Sequence, residues 1–405
     1  MERIKSWLQK REATGERRRL YPVIRMPDGR LQSSGSQSGS SGFSDFSSND
    51  YLALSQHPAM RAAAALYLEK YGTGAGAARL MSGDLDLFHE LEHAIANLKN
   101  NESALLFGNG YIANVSVIAA LVGRGDVILC DRLNHASIYD GCRLSGARLV
   151  RFRHNDPGHL EELLSKHHKT GRVLIVVESI YSMDGDRCPL PAIVELKNRY
   201  GAWLMVDEAH ATGVFGQTGG GVIQEEGVAE SVDIAMGTFG KALGSYGAYI
   251  AASRAMVDYL VNRARGFIYS TGLPPAVAGA SLAALRIVAA EPGRRDTLHK
   301  YSRLFKNRLQ SNGLTGHPGS SQIVPVLVGD SANAVQAAEK LRRQGIFATA
   351  VRPPTVPSNT ARLRFSITLH HTEEILIQAA DRVAAVLRDV APGASFPEAV
   401  DRHYF

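Results

Sequence analysis

Short apolar runs alternate with helix-length segments through the middle of this chain, and this pattern limits its possible folds more than any other feature. The runs are Ala104–Phe107, Val127–Cys130, Val173–Val177, Trp203–Val206, Ile234–Met236 and Ala248–Ala252. The helix-length segments that precede or separate them include Leu85–Leu98, Ala113–Val122 and Leu190–Arg199. Strands that are apolar throughout are typical of a sheet that is covered by helices on both faces. The sequence therefore predicts an α/β fold with a mainly parallel sheet.

The pattern changes after Pro292, where we expect a smaller α/β domain. Its predicted helices are Leu298–Leu309, Ala332–Gln344 and Glu373–Leu387, and its predicted strands are Ile323–Val328, Phe347–Ala350 and Arg362–Ile367. We predict an N-terminal helix and arm over 1–50, a large domain over 51–292, a small domain over 293–391 and a tail over 392–405. The first twenty residues have the pattern of a basic amphipathic helix. The Ser- and Gly-rich stretch Ser33–Ser44 is expected to be mobile.

Composition excludes several classes of protein. The 45 Lys and Arg residues exceed the 39 Asp and Glu residues by only 6 in 405, which does not favour a nucleic-acid partner. Cys130, Cys142 and Cys188 share no C-x-x-C spacing, so we expect neither a disulfide framework nor a zinc site. No apolar run approaches the ~20 residues that span a membrane, and Met1 to Arg19 lacks the apolar stretch of a secretory signal. We expect a cytoplasmic protein without a metal site.

Polar side chains follow the predicted strands, where function gathers in parallel α/β sheets. Asp207 ends the run W-L-M-V-D, and Lys241 lies in T-F-G-K-A-L-G among small and apolar residues. Taken singly, Asp207 could cap a turn and Lys241 could be a surface lysine. Together they suggest pyridoxal phosphate, which needs a Schiff-base lysine and an acid at its pyridinium nitrogen. Gly110 and Tyr111, at a predicted helix start, and the Thr238 hydroxyl are suited to its phosphate.

Three more polar residues follow predicted strands and suit the ring of the same cofactor. His135 is a candidate to lie over the pyridine face. Ser182 and His210 could hydrogen-bond its phenolate oxygen. A structural role is the alternative for either histidine taken alone.

The ordered motifs resemble those of the α-oxoamine synthases, fold-type I pyridoxal-phosphate enzymes that join an amino acid to an acyl thioester with loss of carbon dioxide. The motifs are F-S-S-N-D-Y-L (46–52), L-N-H-A-S (133–137), S-M-D-G-D (182–186), V-D-E-A-H-A-T-G-V-F-G (206–216), T-F-G-K-A-L-G (238–244) and Y-S-T-G-L-P-P (269–275). The resemblance runs almost end to end. It implies a seven-stranded sheet in the large domain and a homodimer with shared active sites.

Two further segments resemble one branch of this family. They are R-R-R-L-Y-P-V (17–23) and V-R-P-P-T-V-P followed by T-A-R-L-R (351–357 and 360–364). This branch condenses L-alanine with a pimeloyl thioester, carried by coenzyme A or acyl-carrier protein, and releases carbon dioxide and free carrier during biotin biosynthesis. The alternative is a sibling reaction of glycine or serine with another acyl-CoA.

The resemblance also implies roles for individual residues. Lys241 would be the Schiff-base lysine and the base at the α-carbon, Asp207 would hold the pyridinium charge, and His135 would stack on the ring and help hold the thioester carbonyl. Gly110, Tyr111 and Thr238 would bind the phosphate, and Ser182 and His210 would contact the ring. Ser270 and Thr271 would reach the cofactor phosphate of the partner subunit.

Three residues are expected to contact the substrates. Arg364 is the candidate for the amino-acid carboxylate, because a planar guanidinium binds carboxylates in two-point fashion; the alternative is a strand arginine that pairs with a surface acid. Thr355 should touch the acyl substrate. Arg18 is the expected acyl-substrate arginine, although Leu20 is an extra residue relative to the family, so Arg17 or Arg19 could take that role.

Other functions compete with this interpretation. The run G-T-G-A-G-A (72–77) could suggest a dinucleotide-binding dehydrogenase, but it lacks the full G-x-G-x-x-G spacing. A catalytically inactive partner subunit is a non-enzymatic alternative, and such a subunit would be expected to lack the lysine that stands here at 241. A nucleic-acid binder would need clustered basic residues together with aromatic side chains on which bases stack, and we see no such clusters in the sequence.

Overall fold

A computed structural model describes residues 1–34 and 42–397. Most of the stretch Ser33–Ser44, which the sequence predicts to be mobile, and the last eight residues of the predicted tail lie outside the described residues. The chain divides into two compact units. We call Asp50–Ser182 with Arg187–Asp296 the sheet unit, and the described parts of Met1–Asn49, Met183–Asp186 and Thr297–Phe405 the terminal unit. The predicted domain boundaries differ from this division, because they separate residues 1–50 from the C-terminal part.

The described chain alternates between helices and strands. The helices are α1 (Glu2–Ala13), α2 (Pro58–Tyr71), α3 (Asp86–Lys99), α4 (Gly110–Leu121), α5 (Ala136–Ser145), α6 (Pro157–His167), α7 (Leu190–Tyr200), α8 (Val222–Glu225), α9 (Arg254–Arg263), α10 (Arg265–Ile268), α11 (Pro275–Ala290), α12 (Gly293–Ser311), α13 (Ser331–Arg343) and α14 (Glu373–Val390), with a 3₁₀ turn at Ala229–Ser231. The strands are β1 (Val23–Arg25), β2 (Leu31–Ser33), β3 (Ser44–Asp45), β4 (Ser103–Phe107), β5 (Val127–Asp131), β6 (Arg148–Phe152), β7 (Val173–Glu178), β8 (Trp203–Asp207), β9 (Ile234–Thr238), β10 (Ala248–Ala252), β11 (Ile323–Gly329), β12 (Ile346–Phe347), β13 (Thr349–Val351) and β14 (Ala361–Ser366).

The sheet unit is built on a seven-stranded sheet with the order β4-β10-β9-β8-β7-β5-β6. Strand β10 is antiparallel to both of its neighbours, and the remaining pairs are parallel. Every residue of β4, β5, β7 and β10 is buried, as expected for strands with helices on both faces. The predicted α/β class with a mainly parallel sheet is confirmed. The sequence did not predict strand β6. Its residues, R-L-V-R-F, form a partly exposed strand at the edge of the sheet.

Local signals explain where the helices around this sheet begin and end. The side chain of Asn109 caps α4 by accepting from the N–H of Ile112 at 3.0 Å. Asp156 and Ser253 cap α6 and α9 in the same way, because a short polar side chain satisfies N–H groups that the first turn leaves free. Helix α7 ends at Gly201, which has a φ of +65°.

The terminal unit contains the three-stranded antiparallel sheet β11-β14-β13 and the short parallel pair β12-β3. Phe46, Phe305 and Phe365 are fully buried and pack against one another. The beginning of the predicted tail packs here as well, since Phe396 is fully buried and its N–H donates to Thr315 O at 2.8 Å. Helix α1 lies where the N-terminal helix was predicted, and none of its residues is buried.

Among the described residues, no single helix has both the length and the apolarity needed to cross a membrane. The consecutive helices α11 and α12 meet that test only when they are taken together as a bent pair. Most of the residues of α11 are buried, as in a core helix.

Candidate active site

The strands β7, β8 and β9 are neighbours in the sheet, so the polar residues at their carboxyl ends meet at one edge. Glu178 and Asp207, the last residues of β7 and β8, are direct partners in the parallel register. Asp207 also lies opposite Met236 of β9, two residues before Thr238 ends that strand. This edge is the place where an open α/β sheet binds its ligand.

Lys241 lies on the loop that follows β9, and its amine contacts an imidazole. The half-buried Lys241 Nζ lies 2.8 Å from His210 Nε2, and His210 Nδ1 lies 2.7 Å from the hydroxyl of Tyr51. Phe239 is fully buried and anchors this loop. Gly244 turns the loop with a φ of +60°, and a Cβ atom there would lie 2.4 Å from Ser55 N, so only glycine fits. The loop therefore presents its amine to a defined partner.

Asp207 is a buried carboxylate with hydrogen bonds to both of its oxygens. Only 5% of the residue is exposed. Its Oδ1 accepts from the Ala209 N–H at 2.9 Å, and its Oδ2 accepts from Asn114 Nδ2 at 2.9 Å. These donors offset part of the cost of burying a negative charge.

His135 caps the start of α5 with its own ring. Its Nδ1 accepts from the Ser137 N–H at 3.3 Å and lies 2.8 Å from Ser137 Oγ. The His135 N–H donates to the carboxyl group of Glu178. Desolvation lowers the pKa of the imidazole, and the nearby charge of Lys241 acts in the same direction, whereas Asp207 opposes both. The imidazole therefore favours its neutral form near pH 7.

The pKa of Glu178 is shifted upward, in the direction opposite to that of His135. The residue is buried, and this burial together with the neighbouring charge of Asp207 holds the pKa of its carboxyl well above the ordinary value of 4.5. Lys241 and the His135 N–H act against these two effects but are weaker. Glu178 and Asp207 are therefore neighbouring carboxyl groups with different surroundings, and Glu178 favours the neutral form.

The start of α4 forms an open end beside the same edge. Gly110 and Tyr111 begin this helix, and a Cβ atom on Gly110 would lie 4.0 Å from Thr238 Cβ. Apart from its two neighbours in the chain, no atom of the described residues lies within 4 Å of a Cβ atom built on Gly108. The Thr238 hydroxyl donates to Gly247 O at 2.7 Å. N–H groups at a helix start beside a hydroxyl form a site for a phosphate group.

A buried ion pair is formed by Glu208, the residue that follows Asp207, and Lys99. Lys99 Nζ, at the end of α3, lies 2.7 Å from Glu208 Oε2, and at most 1% of either side chain is exposed. Lys99 also donates to Thr212 Oγ1 at 2.8 Å and to Gly220 O at 2.7 Å. Glu208 Oε1 accepts from the Ile223 N–H at 2.9 Å. Because Glu208 lies between Asp207 and His210 in the chain, these contacts hold the turn that carries both residues.

Three more of the predicted residues lie in the sheet unit. Ser182 is buried four residues after the end of β7. Ser270 and Thr271 are exposed, and Thr271 pairs with Ala78 through an isolated bridge. The run G-T-G-A-G-A follows helix α2 rather than a strand, so it lacks the strand–turn–helix context of a dinucleotide site.

The terminal unit brings Arg18 and Thr355 together. Arg18 Nη2 donates to Thr355 Oγ1 at 2.7 Å across 337 positions of the chain. Arg17 and Arg19 each form an ion pair with Glu12 at 3.0 Å. The two alternative arginines thus bind an acid of α1, and the geometry favours Arg18 as the residue that accompanies Thr355.

Arg364 lies on β14 with 8% of its surface exposed. It donates to Ser366 Oγ at 2.9 Å and to Asn49 Oδ1 at 3.4 Å. Asn49 belongs to the F-S-S-N-D-Y-L motif, and the sequence alone does not predict a role for this residue. A buried guanidinium beside an amide is a suitable site for a small carboxylate.

Sequence reasoning assigned no role to Tyr51, Asn114, Ser137 or Glu178. Tyr51 belongs to the noted 46–52 motif and Ser137 to the noted 133–137 motif, so both motifs offered a signal. Asn114 offered none beyond being a polar residue in an apolar helix. In the described part of the chain, no three His, Cys, Asp or Glu side chains are grouped as ligands of a metal ion would be.

Comparison with known proteins agrees with this geometry. The family model described as aminotransferase class I and II matches residues 42–383. An 8-amino-7-oxononanoate synthase of Geobacter sulfurreducens is 49% identical over 345 residues, which cover 85% of this chain and 88% of the relative. A putative 8-amino-7-oxononanoate synthase of Bordetella pertussis is 46% identical and covers 93% of this chain and 95% of its own.

Solved structures show the same fold. A serine palmitoyltransferase of Sphingomonas wittichii has a TM-score of 0.89 at 30% identity, and the match covers 96% of this chain and 98% of that one. An 8-amino-7-oxononanoate synthase of Francisella tularensis has a TM-score of 0.75 at 28% identity, with coverage of 86% and 98%. The fold and the lysine-centred sheet edge define a fold-type I enzyme. The chain belongs to the aminotransferase class I and II family and, within it, to the family of the 8-amino-7-oxononanoate synthases.

Proposed function

We propose that this chain binds pyridoxal 5′-phosphate and condenses L-alanine with a pimeloyl thioester, on coenzyme A or acyl-carrier protein. The products are 8-amino-7-oxononanoate, carbon dioxide and free carrier, on the route to biotin. The contact of Lys241 Nζ with His210 Nε2, at the sheet edge that also carries Asp207, is the observation on which this proposal rests. The 49% identity to an 8-amino-7-oxononanoate synthase supports the choice of reaction.

The residues at the sheet edge fit this cofactor. Lys241 supplies the amine for its aldehyde carbon, and Asp207 supplies a buried carboxylate for its pyridinium nitrogen. The open start of α4 at Gly110 and Tyr111, with Thr238 beside it, suits the phosphate. His135 would stack on the ring, and Ser182 and His210 would contact the phenolate side. When bound, the cofactor supplies an electron sink for negative charge at the α-carbon of the amino acid.

Side chains of the protein transfer the proton and bind the two substrates. Lys241 Nζ moves the proton at the α-carbon of alanine, and the hydrogen-bonded row Lys241, His210 and Tyr51 keeps this amine oriented. We assign the alanine carboxylate to Arg364, and Asn49 and Ser366 hold that guanidinium. Arg18 and Thr355 contact the acyl chain.

We further propose that the protein is a cytoplasmic homodimer. The sheet unit exposes several large apolar side chains, which suits an interface with a second copy; they are Leu66, Leu80, Met81, Tyr111, Leu144, Tyr246 and Tyr269. Ser270 and Thr271 lie next to Tyr269 and would reach the cofactor phosphate of the partner subunit. The three cysteines are free and buried, which suits a reducing compartment. Light scattering on the purified protein tests the dimer.

A second candidate reaction uses serine or glycine with another acyl-CoA. The serine palmitoyltransferase structures favour it, because their TM-scores reach 0.89. Sequence identity favours the alanine reaction, since it is 30% to that structure and 49% to the Geobacter synthase. A shared backbone does not select a substrate, so we give more weight to the sequence.

A product assay tests the proposal. The enzyme loaded with pyridoxal phosphate is incubated with alanine, glycine or serine and with pimeloyl-CoA or palmitoyl-CoA, and the products are identified by mass spectrometry. We expect 8-amino-7-oxononanoate from alanine and pimeloyl-CoA as the dominant product. A larger yield from serine and palmitoyl-CoA would contradict the proposal and support the second candidate.

A further inference from the structure

Asn114 connects two residues of the proposed site that are distant in sequence. It lies on α4 one helical turn after Gly110, and only 1% of it is exposed. Its Nδ2 lies 2.9 Å from Asp207 Oδ2 and 3.0 Å from Ser137 Oγ. Ser137 Oγ in turn lies 2.8 Å from His135 Nδ1. A continuous row of hydrogen bonds therefore runs from the acid to the imidazole.

The direction of every bond in this row follows from chemistry. A carboxylate accepts hydrogen bonds and does not donate them, so Asp207 orients the amide of Asn114 with Nδ2 toward it. An amide nitrogen carries two hydrogens and has no acceptor capacity. One hydrogen goes to Asp207 and the other to Ser137 Oγ. The hydroxyl hydrogen of Ser137 is then directed to His135 Nδ1, which must accept it.

We infer that Asn114 is a positioning residue that, through Ser137, holds His135 as the neutral tautomer with its proton on Nε2. The Ser137 backbone N–H also donates to Nδ1 at 3.3 Å and supports the same tautomer. Asn114 Oδ1 is buried and has no partner in the described chain. The residue is therefore held by its amide nitrogen, and a leucine of similar size would lose both bonds.

This tautomer gives His135 a defined role, which rests on the proposed function. The Nε2–H group is the remaining donor of the ring, and in the proposed reaction it would donate to the thioester carbonyl oxygen. The charged groups that act on the ring are Asp207 of β8, Asp140 of α5 and Lys241 after β9, and Glu178 of β7 binds the backbone of His135. Desolvation is the largest effect and lowers the imidazole pKa, as does Lys241, whereas the two aspartates raise it.

Nuclear magnetic resonance of the cofactor-loaded protein, labelled with ¹⁵N in its histidine rings, tests the inference directly. His135→Gln assigns the signals, and long-range couplings show which nitrogen carries the proton. We expect Nε2 protonated and Nδ1 bare in the wild type near neutral pH. Proton occupancy of Nδ1 in the wild type would overturn the inference. This readout requires no turnover, so it is independent of whether alanine or another amino acid is the substrate.

Variants then separate Asn114 from the backbone contact. Asn114→Leu should give a mixture of tautomers and raise the imidazole pKa by about one unit, the size expected when one hydrogen bond that favours the neutral form is lost. Ser137→Ala should behave in the same way, and Ser137→Thr, which keeps the hydroxyl, should restore the wild-type signals. A single Nε2–H tautomer with unchanged titration in Asn114→Leu would assign the effect to the hydroxyl and backbone N–H of Ser137 alone and overturn the role of Asn114.

Discussion

The sheet unit and the terminal unit hold their proposed site residues in different ways. Asp207 accepts two hydrogen bonds at 2.9 Å and is buried, and the adjacent Glu208 forms an ion pair that is also buried. Arg18 and Thr355 are both exposed and are joined by one hydrogen bond. The residues at the sheet edge are thus held by many interactions, whereas Arg18 and Thr355, the proposed contacts of the acyl substrate, are held by few. This difference predicts which substitutions affect folding and rate and which affect only substrate binding.

The largest effect on turnover is expected for Lys241→Ala. Because this residue supplies both the covalent amine and the base in the proposed reaction, turnover should fall by at least ~10³-fold, while circular dichroism stays that of the wild type. Borohydride reduction followed by peptide mass spectrometry should place the cofactor on the Lys241 peptide of the wild type. Attachment of the cofactor to another lysine would contradict the assignment.

Lys99→Met should give the largest loss of stability. It leaves the Glu208 charge buried without its partner, so the free energy of unfolding should fall by about 3–5 kcal/mol. Denaturant titration measures this loss. The matched control is Lys99→Met combined with Glu208→Gln, which removes the unpaired charge and should recover part of the stability. Equal losses in the single and double variants would show that the pair is not the cause.

Arg18→Gln should show the contrasting behaviour of the exposed pair. We expect the KM for the pimeloyl thioester to rise about tenfold, the size expected for the loss of a charge-assisted hydrogen bond, with little change in kcat or in unfolding. Arg17→Gln is the matched control, because Arg17 binds Glu12, and its KM should change less than about twofold. A larger effect at Arg17 would move the substrate contact to that arginine.

The smallest effect on rate is expected for Glu178→Gln, which keeps an acceptor for the His135 N–H and removes a carboxyl that already favours its neutral form. The raised pKa of Glu178 contributes stability that is fully present below pH 4.5, the ordinary value, and is lost as the pH rises through the folded-state pKa. The variant should therefore gain stability relative to the wild type as the pH rises from 4.5 through the folded-state pKa. Unfolding midpoints measured over a series of pH values follow this gain, and a loss of stability relative to the wild type as the pH rises would mean that folding lowers the pKa of Glu178.

The sequence predicted the parts of the molecule in which one local pattern decides the structure. Asp207 is the last residue of the apolar strand β8, and Lys241 lies just beyond the neighbouring strand β9, so the sheet order brings them to one edge. Tyr51 was missed because its partner His210 is 159 positions away, and local patterns carry no information about such a contact. Strand β6 was missed because it is an edge strand whose exposed arginines interrupt the apolar run.

The consecutive residues Arg17, Arg18 and Arg19 also show that local sequence patterns do not identify long-range contacts. The sequence does not distinguish Arg18 from Arg17 and Arg19, since all three follow one another without a change in pattern. The distinction comes from Glu12, which binds the two outer arginines, and from Thr355, which is 337 positions away. The arginine that pairs with Thr355 could therefore be identified only from the structure, whereas the polar residues at the strand ends could be predicted from the sequence.

We propose that Lys241 at the sheet edge holds pyridoxal phosphate and that alanine is the amino-acid substrate. A visible absorption spectrum of the purified protein, titrated separately with L-alanine, glycine and L-serine, tests it most directly. We predict a yellow band from the bound cofactor that responds at the lowest concentration to L-alanine. A band that responds best to glycine or serine would contradict the choice of substrate, and no band after addition of pyridoxal phosphate would contradict both the cofactor and the proposed reaction.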